Sequence, residues 1–148
     1  MTEKDVQDAL KDALRSGDKT AASALRMLIS AIKYKKIEDL EKGEFSDEKL
    51  VSLVQKMIKR YKESIEQFEN GGRQDLVEKE REEMEVILKF LPVQLGEDDV
   101  KTIVDEAIKS TGASGVKDMG KAIKYVMERV KGRAEGGLVS KLVKEKLQ

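Results

Sequence analysis

Apolar residues along this chain recur at spacings of three and four, the repeat that gathers them on one side of an α-helix, and no stretch alternates as a half-buried strand does. Val6, Ala9, Leu10, Ala13 and Leu14 define a first helix from Glu3 to Arg15. Ser16–Gly17–Asp18 closes it as a C-terminal glycine followed by the next N-cap. Leu25, Leu28, Ile29, Ile32 and Leu40 mark a second helix that ends near Lys42–Gly43. Ser46 caps a third, with Asp47 and Glu48 set against the positive end of its dipole. Its apolar stripe is Leu50, Val54, Met57, Tyr61, Ile65 and Phe68, long enough to predict a helix packed along a neighbour, and the second and third helices are the expected pair. Asn70–Gly71–Gly72 stops the third helix, and Val77, Met84, Ile87, Leu88 and Leu91 carry a fourth up to Pro92.

Beyond Pro92 the pattern shortens. Val100, Ile103, Val104, Ala107 and Ile108, then Ile123, Val126, Met127 and Val130, then Leu138, Val139, Leu142, Val143 and Leu147 predict three short amphipathic helices, the first two ended by Gly112 and Gly132. The expected architecture is all-α: an N-terminal helical domain over residues 1–95, a bundle with a long helical hairpin, and a small C-terminal three-helix module over residues 96–148. Gly120, a poor helix former inside a helical pattern, is expected to allow another helix to approach closely.

Composition narrows the chemistry. The 148 residues contain no histidine and no cysteine, which removes Ser-His-Asp and Cys-His nucleophiles, histidine general bases, thiolate sites and the common zinc ligand sets. Aromatic residues are 4% with no tryptophan, too few for a base-stacking platform. The run Glu78, Glu80, Glu82, Glu83 and Glu85 spreads around its helix and reads as a solvated face, not a carboxylate metal site. No catalytic constellation, metal site or cofactor motif stands out. The N-terminus carries no apolar signal core and no apolar run is long enough to span a membrane, so the expectation is a cytoplasmic protein without a membrane partner.

Charge changes the picture at the C-terminal end. The whole chain is neutral, yet residues 110–148 hold nine Lys/Arg against four acids. Residues 1–95 hold 18 Lys/Arg and 20 Asp/Glu, and residues 96–148 hold 11 and 9. Lys117, Lys121 and Lys124 fall on one helical face, with Lys131, Arg133, Lys141 and Lys144 following, a local basic field of the kind that displaces counterions from phosphates. Lys33, Lys35 and Lys36, and Lys56, Lys59, Arg60 and Lys62, form further basic clusters, which Glu38, Asp39, Glu63 and Glu66 can pair within their helices.

Several segments resemble the GatB/YqeY domain family: Leu25–Arg26–Met27–Leu28, Ser64–Ile65–Glu66–Gln67–Phe68 with Gly72–Arg73–Gln74–Asp75–Leu76, Leu91–Pro92–Val93–Gln94–Leu95, Lys117–Asp118–Met119–Gly120–Lys121 and Lys131–Gly132–Arg133–Ala134. The resemblance runs over almost the whole chain and is to the free-standing YqeY-like members. It implies an all-helical architecture of a bundle and hairpin followed by a three-helix module. It also implies kinship with the tail of the B subunit of the tRNA-dependent glutamyl/aspartyl amidotransferase, where that tail contacts tRNA; the catalytic cradle of that subunit lies in a preceding domain that this chain does not contain. Two positions depart from the family pattern: Gly96 stands where Ser or Thr is frequent, and Glu135–Gly136–Gly137 opens the last helix, where glycines cost about 1 kcal/mol each and predict a frayed start.

Together these features lead to the expectation of a non-catalytic accessory protein that binds tRNA or another structured RNA through Lys117, Lys121, Lys124, Lys131, Arg133, Lys141 and Lys144, by phosphate contact and shape. Two alternatives are participation in glutamine-dependent carbon–nitrogen ligation on aminoacyl-tRNA, and an adaptor that meets a protein partner through the N-terminal hairpin.

Overall fold

A computed structural model describes residues 1–40, 43 and 45–148; the predicted helix end at Lys42 lies outside the described residues. Among the described residues there are seven α-helices and one short 3-10 turn, and no strand, so the fold is all-α. The chain divides into two compact units, Met1–Leu91 and Pro92–Gln148. Residues 92–95 thus belong with the second unit, four residues earlier than the sequence boundary.

The first unit holds α1 (Glu3–Ser16), α2 (Lys19–Glu38), α3 (Asp47–Asn70) and α4 (Gln74–Leu88). Side-chain caps set the starts of α1, α2 and α3, whereas α4 follows Arg73 without one. The Thr2 hydroxyl accepts the Asp5 N–H while the Asp5 carboxylate accepts the Thr2 N–H, Asp18 accepts from the Ala21 N–H, and Ser46 accepts from the Lys49 N–H. Gly17, in the left-handed region at φ 74°, ends α1 as its sequence position predicts. The helix pairing differs from expectation. α3 lies chiefly along α4, and α2 packs on α1 and α4, so the long hairpin is α3–α4. The short Asn70–Gly71–Gly72–Arg73 turn explains this, because a tight connection forces its two helices to be antiparallel neighbours, whereas the link from α2 to α3 is longer.

Val6, Leu25, Leu28, Ile32, Leu50, Val54, Tyr61 and Ile87 interlock at the centre of this unit, and Phe45, just ahead of α3, is fully buried with them. Leu40, read as part of the second stripe, is instead 86% exposed and sits beyond the end of α2 with a positive φ of 55°. Glu3 locks the two ends of α2 and α3 together. Its carboxylate accepts from the Lys36 ammonium at 2.7 Å and from the Phe45 N–H at 2.9 Å. Burial pushes the Glu3 carboxyl up, but the Lys36 hydrogen bond, the Phe45 N–H and the Lys36 charge together outweigh it and hold the group below its usual range.

The acidic run on α4 is not uniformly solvated. Glu83 is only 5% exposed, and the Tyr61 hydroxyl donates to it at 3.5 Å, a long and weak bond. Burial pushes the Tyr61 hydroxyl well above the ordinary phenol range, with the charges of Glu83 and Glu80 adding to it, so it remains a donor. Among the described residues no acidic group is arranged to hold a metal ion.

The second unit is α5 (Glu97–Thr111), the 3-10 turn Val116–Asp118, α6 (Met119–Val130) and α7 (Gly136–Leu147), three helices in mutual contact. Its core is made almost entirely of Val and Ala: Val100, Val104, Ala107, Ala122, Val126, Val130, Val139 and Val143, with Leu142. Small side chains let short helices approach one another closely, which suits a module with so little chain to bury. α7 includes Gly136 and Gly137 from its first turn.

Burial first, and the Glu83 charge second, raise the Glu80 carboxyl above its ordinary 4.5. A raised folded-state value favours folding while the group is protonated, so its contribution is full below pH 4.5 and is lost as the pH rises through the folded-state value. Glu83→Gln removes the like charge and keeps an acceptor for Tyr61. The fall in stability above pH 4.5 is therefore expected to be smaller in E83Q than in the parent chain, read from urea unfolding across a pH series; identical pH profiles would mean that Glu80 does not feel Glu83.

Candidate nucleic-acid interface

The basic residues singled out from the sequence sit on the second unit at the α6 start, the α6–α7 turn and α7. α6 buries Ala122, Val126 and Val130 and turns the opposite arc to solvent. Going round that arc come Lys124, Glu128, Lys121, Tyr125 and Arg129, so Lys121 and Lys124 share one exposed side, with Glu128 between them and one turn further along. Lys117, in the 3-10 turn just before, is exposed near the same end.

The turn that carries Lys117 is pinned by Asp118. Its carboxylate accepts the Ser114 N–H at 2.9 Å, and its own N–H donates to the Gly115 carbonyl. The Ser114 N–H is the main cause that holds the Asp118 carboxyl below its usual range, with Lys121 and Lys117 adding to it. Lys121 lies 3.8 Å from the same carboxylate across an exposed pair, a contact too weakly held to fix the ammonium. Asp118 is thus tied to backbone and only loosely to the lysine, and Glu128 is the acid that shares the exposed arc with Lys121 and Lys124.

Gly120 does not play the packing role expected of it. A Cβ at this position would meet nothing within 4 Å, and the residue faces solvent in the first turn of α6. Its lack of a side chain leaves the backbone beside Lys121 and Lys124 uncovered.

The α6–α7 turn separates two basic residues that the sequence grouped together. Arg133 donates from Nε to the Val130 carbonyl at 3.1 Å and from an Nη to the Arg129 carbonyl at 3.2 Å, so its guanidinium caps the C-terminal end of α6. Its own carbonyl accepts the Leu95 N–H at 2.7 Å, and Gln94 bonds the Gly132 carbonyl, which ties the segment leading into α5 to this turn. Arg133 is therefore first a structural cap. Lys131, and not Gly132, ends α6: it takes the left-handed conformation at φ 45°, and Gly132 follows at φ 81°. Lys131 is exposed at that corner.

Lys141 and Lys144 form a second exposed pair one turn apart on α7, beside Glu145, while Lys146 turns toward α5 and pairs with Asp105 at 3.1 Å. That side of α7 and α5 encloses a shallow groove over Val104 and Leu142, edged by Lys101, Asp105, Glu145 and Lys146 with both signs of charge. The mixed charge suits no single anion.

Sequence reasoning passed over one element of this surface. The Arg129 guanidinium stacks over the Tyr125 ring at 3.5 Å, and the Tyr125 hydroxyl meets the Ser110 hydroxyl at 3.2 Å. The signal was present as an aromatic residue four positions before an arginine, the helical spacing that lets the two stack. It places a positioned cation on the same arc as Lys121.

With this geometry in view, the comparisons with known proteins are specific. The model of the Yqey-like protein family matches residues 3–147. This chain belongs to the YqeY-like family. It is 34% identical over 144 residues to "Altered inheritance of mitochondria protein 41, mitochondrial" of Pyrenophora tritici-repentis, covering 95% of this chain and 77% of that protein. The proteins of the same name from Candida glabrata and Saccharomyces cerevisiae are 35% and 37% identical over 68% and 72% of this chain, which spans 56% and 60% of their lengths. Their names overturn the expectation of a cytoplasmic protein. That expectation rests only on the lack of a signal core and of a membrane-length apolar run, and neither feature separates one water-filled compartment from another. Among the described residues no helix is long and apolar enough to cross a membrane.

Two substitutions separate structure from charge at the α6–α7 turn of this YqeY-like module. Arg133→Ala removes two capping hydrogen bonds and is expected to cost about 1–2 kcal/mol. Lys131→Gly also removes a charge but relieves a left-handed side-chain conformation, so it is expected to stabilise by about 1 kcal/mol. Chemical denaturation of both variants checks the opposite signs.

Proposed function

We propose that the C-terminal unit of this YqeY-like protein binds structured RNA, tRNA foremost, through phosphate contacts and shape and without chemistry of its own. The observation that supports this reading is the exposed arc of α6, where Lys121, Lys124 and the stacked Arg129 supply three cations against the single acid Glu128, and the neighbouring Asp118 accepts the Ser114 N–H. Lys117 and Lys131 extend the arc at its two ends, and Lys141 and Lys144 offer a second pair on α7. Arg133 serves the interface mainly by holding the turn that presents Lys131. Clustered ammonium and guanidinium groups release condensed counterions when they meet phosphates, and the wide, shallow minor groove of folded RNA presents phosphates and 2′-hydroxyls to such a surface. The kinship with the amidotransferase tail points to the same class of ligand. The sparse aromatic content fits backbone recognition, since Tyr125 is already engaged by Arg129 and Ser110.

Titration of the full chain against total tRNA and a duplex DNA control across a salt series tests this. The expected result is a preference for tRNA with a slope of log K against log salt that reports several phosphates, and a slope smaller by about 2 for the Lys121→Glu, Lys124→Glu double variant. Salt-independent or absent binding, or a double variant that behaves as the parent, would overturn the proposal.

A further inference from the structure

The solvent-facing side of α2 has the pattern of one strand of a coiled coil. Ser23, Met27, Ser30, Tyr34 and Ile37 are all exposed and step along the helix by four, three, four and three residues, the spacing of a heptad seam. Tyr34 and Ile37 are each 74% exposed, Met27 is 53% exposed, and Leu40 continues the apolar patch beyond the helix end. The opposite side of α2, with Leu25, Leu28 and Ile32, is in the core; of the second stripe Met27 also meets the Tyr61 hydroxyl through its sulfur at 4.0 Å, whereas Tyr34 and Ile37 stand out in solvent.

The charges beside the seam are of one sign. Lys19, Arg26 and Lys33 stand seven residues apart along the same edge, at one heptad position, all exposed. By contrast Lys35 and Lys36, one helical edge away, are held by Glu38, Asp39 and Glu3. On the other edge of the seam Ala24 is buried in the core and Ala31 half-buried against it, which leaves Glu38 as the exposed residue there. We propose that this face of α2 is a docking surface for an amphipathic helix of a partner protein, one that carries acidic side chains opposite Lys19, Arg26 and Lys33.

Charge complementarity selects this occupant over the others. A second copy of the chain packed antiparallel about a two-fold axis would set Lys19, Arg26 and Lys33 against their own counterparts, and like charges at these positions oppose association. A parallel copy would offer them Glu38 alone, one exposed acid for three cations. A lipid surface would have to accept Ser23 and Ser30 in the stripe and Glu38 and Asp39 beside its most apolar end. The basic edge fixes the register and direction of the partner helix.

The test titrates the full chain with a synthetic helix about three heptads long, Leu at its seam positions and Glu at both flanking positions so that it repels itself, against a counterpart with Lys at the flanks. The Glu-flanked helix is expected to bind with an affinity that falls with salt and to exceed its counterpart by about tenfold or more. Tyr34→Ser with Ile37→Ser is expected to abolish this binding, and Arg26→Glu with Lys33→Glu to reverse the preference, with circular dichroism and melting unchanged because all four positions are exposed. The Lys121→Glu, Lys124→Glu variant, which tests the RNA reading, is expected to bind the helix as the parent does. Equal binding of the two helices, binding of neither, or indifference to Tyr34 and Ile37 overturns the proposal. Capture of the chain by anionic phospholipid vesicles, lost with Tyr34 and Ile37, in place of helix binding would assign the face to a lipid surface.

Discussion

Every helix leaves four N–H groups and four carbonyls without a partner inside itself, and with seven helices among the described residues the need to satisfy these ends decides where many of the polar side chains go. Thr2, Asp5, Asp18 and Ser46 meet N-terminal donors in the first unit, and Arg133 meets C-terminal acceptors in the second. Glu3 extends the principle beyond a single helix by accepting the Phe45 N–H, which fixes a loop backbone whose side chain is fully buried. Removing such an acceptor leaves a shielded donor unpaired, a larger penalty than the hydrogen bond is worth when both partners can turn to water.

The same requirement separates charges that serve the backbone from charges that stand in solvent. Two basic residues only two positions apart, Lys131 and Arg133, differ in this way: Lys131 is exposed, and Arg133 folds back over the helix terminus. Asp118 likewise serves the backbone: its carboxylate accepts the Ser114 N–H and, held below its usual range by that bond and by Lys121 and Lys117, stays ionised beside those two lysines. A net charge summed along the sequence treats all of these as equal. The field that a polyanion meets comes from the groups left over after the backbone has been served.

What was legible in the sequence follows from this division. The helices, their caps at Asp18 and Ser46, and the stop at Gly17 are local events written in adjacent residues, and they appear where the pattern places them. The pairing of α3 with α4, the burial of Glu83 against Tyr61 and the capping by Arg133 depend on residues that meet only after the chain turns, so periodicity could not supply them. Gly120 shows the opposite error: its composition suggested a close helix contact, while its place in the first turn of α6 leaves open space around it. The basic residues of the candidate interface were visible by type, and their grouping on one arc followed from helical spacing. Which of them are free to meet a ligand was not visible.

Two surfaces of different character emerge from a chain with no net charge. On α6 the cations stand on a polar arc, with Val116 beside Lys117 the exposed aliphatic residue at its edge, a setting in which binding energy comes chiefly from counterion release and falls steeply with salt. On α2 cations of similar number border Met27, Tyr34 and Ile37, where apolar burial supplies affinity and charge supplies direction, so salt weakens the contact without removing it. A polyanion gains nothing from the apolar stripe, and an amphipathic helix gains little from the arc of α6, because each would leave its own defining feature in water. The composition of each face therefore discriminates between partners by itself, and overall neutrality keeps either basic field from becoming a general attraction for anions.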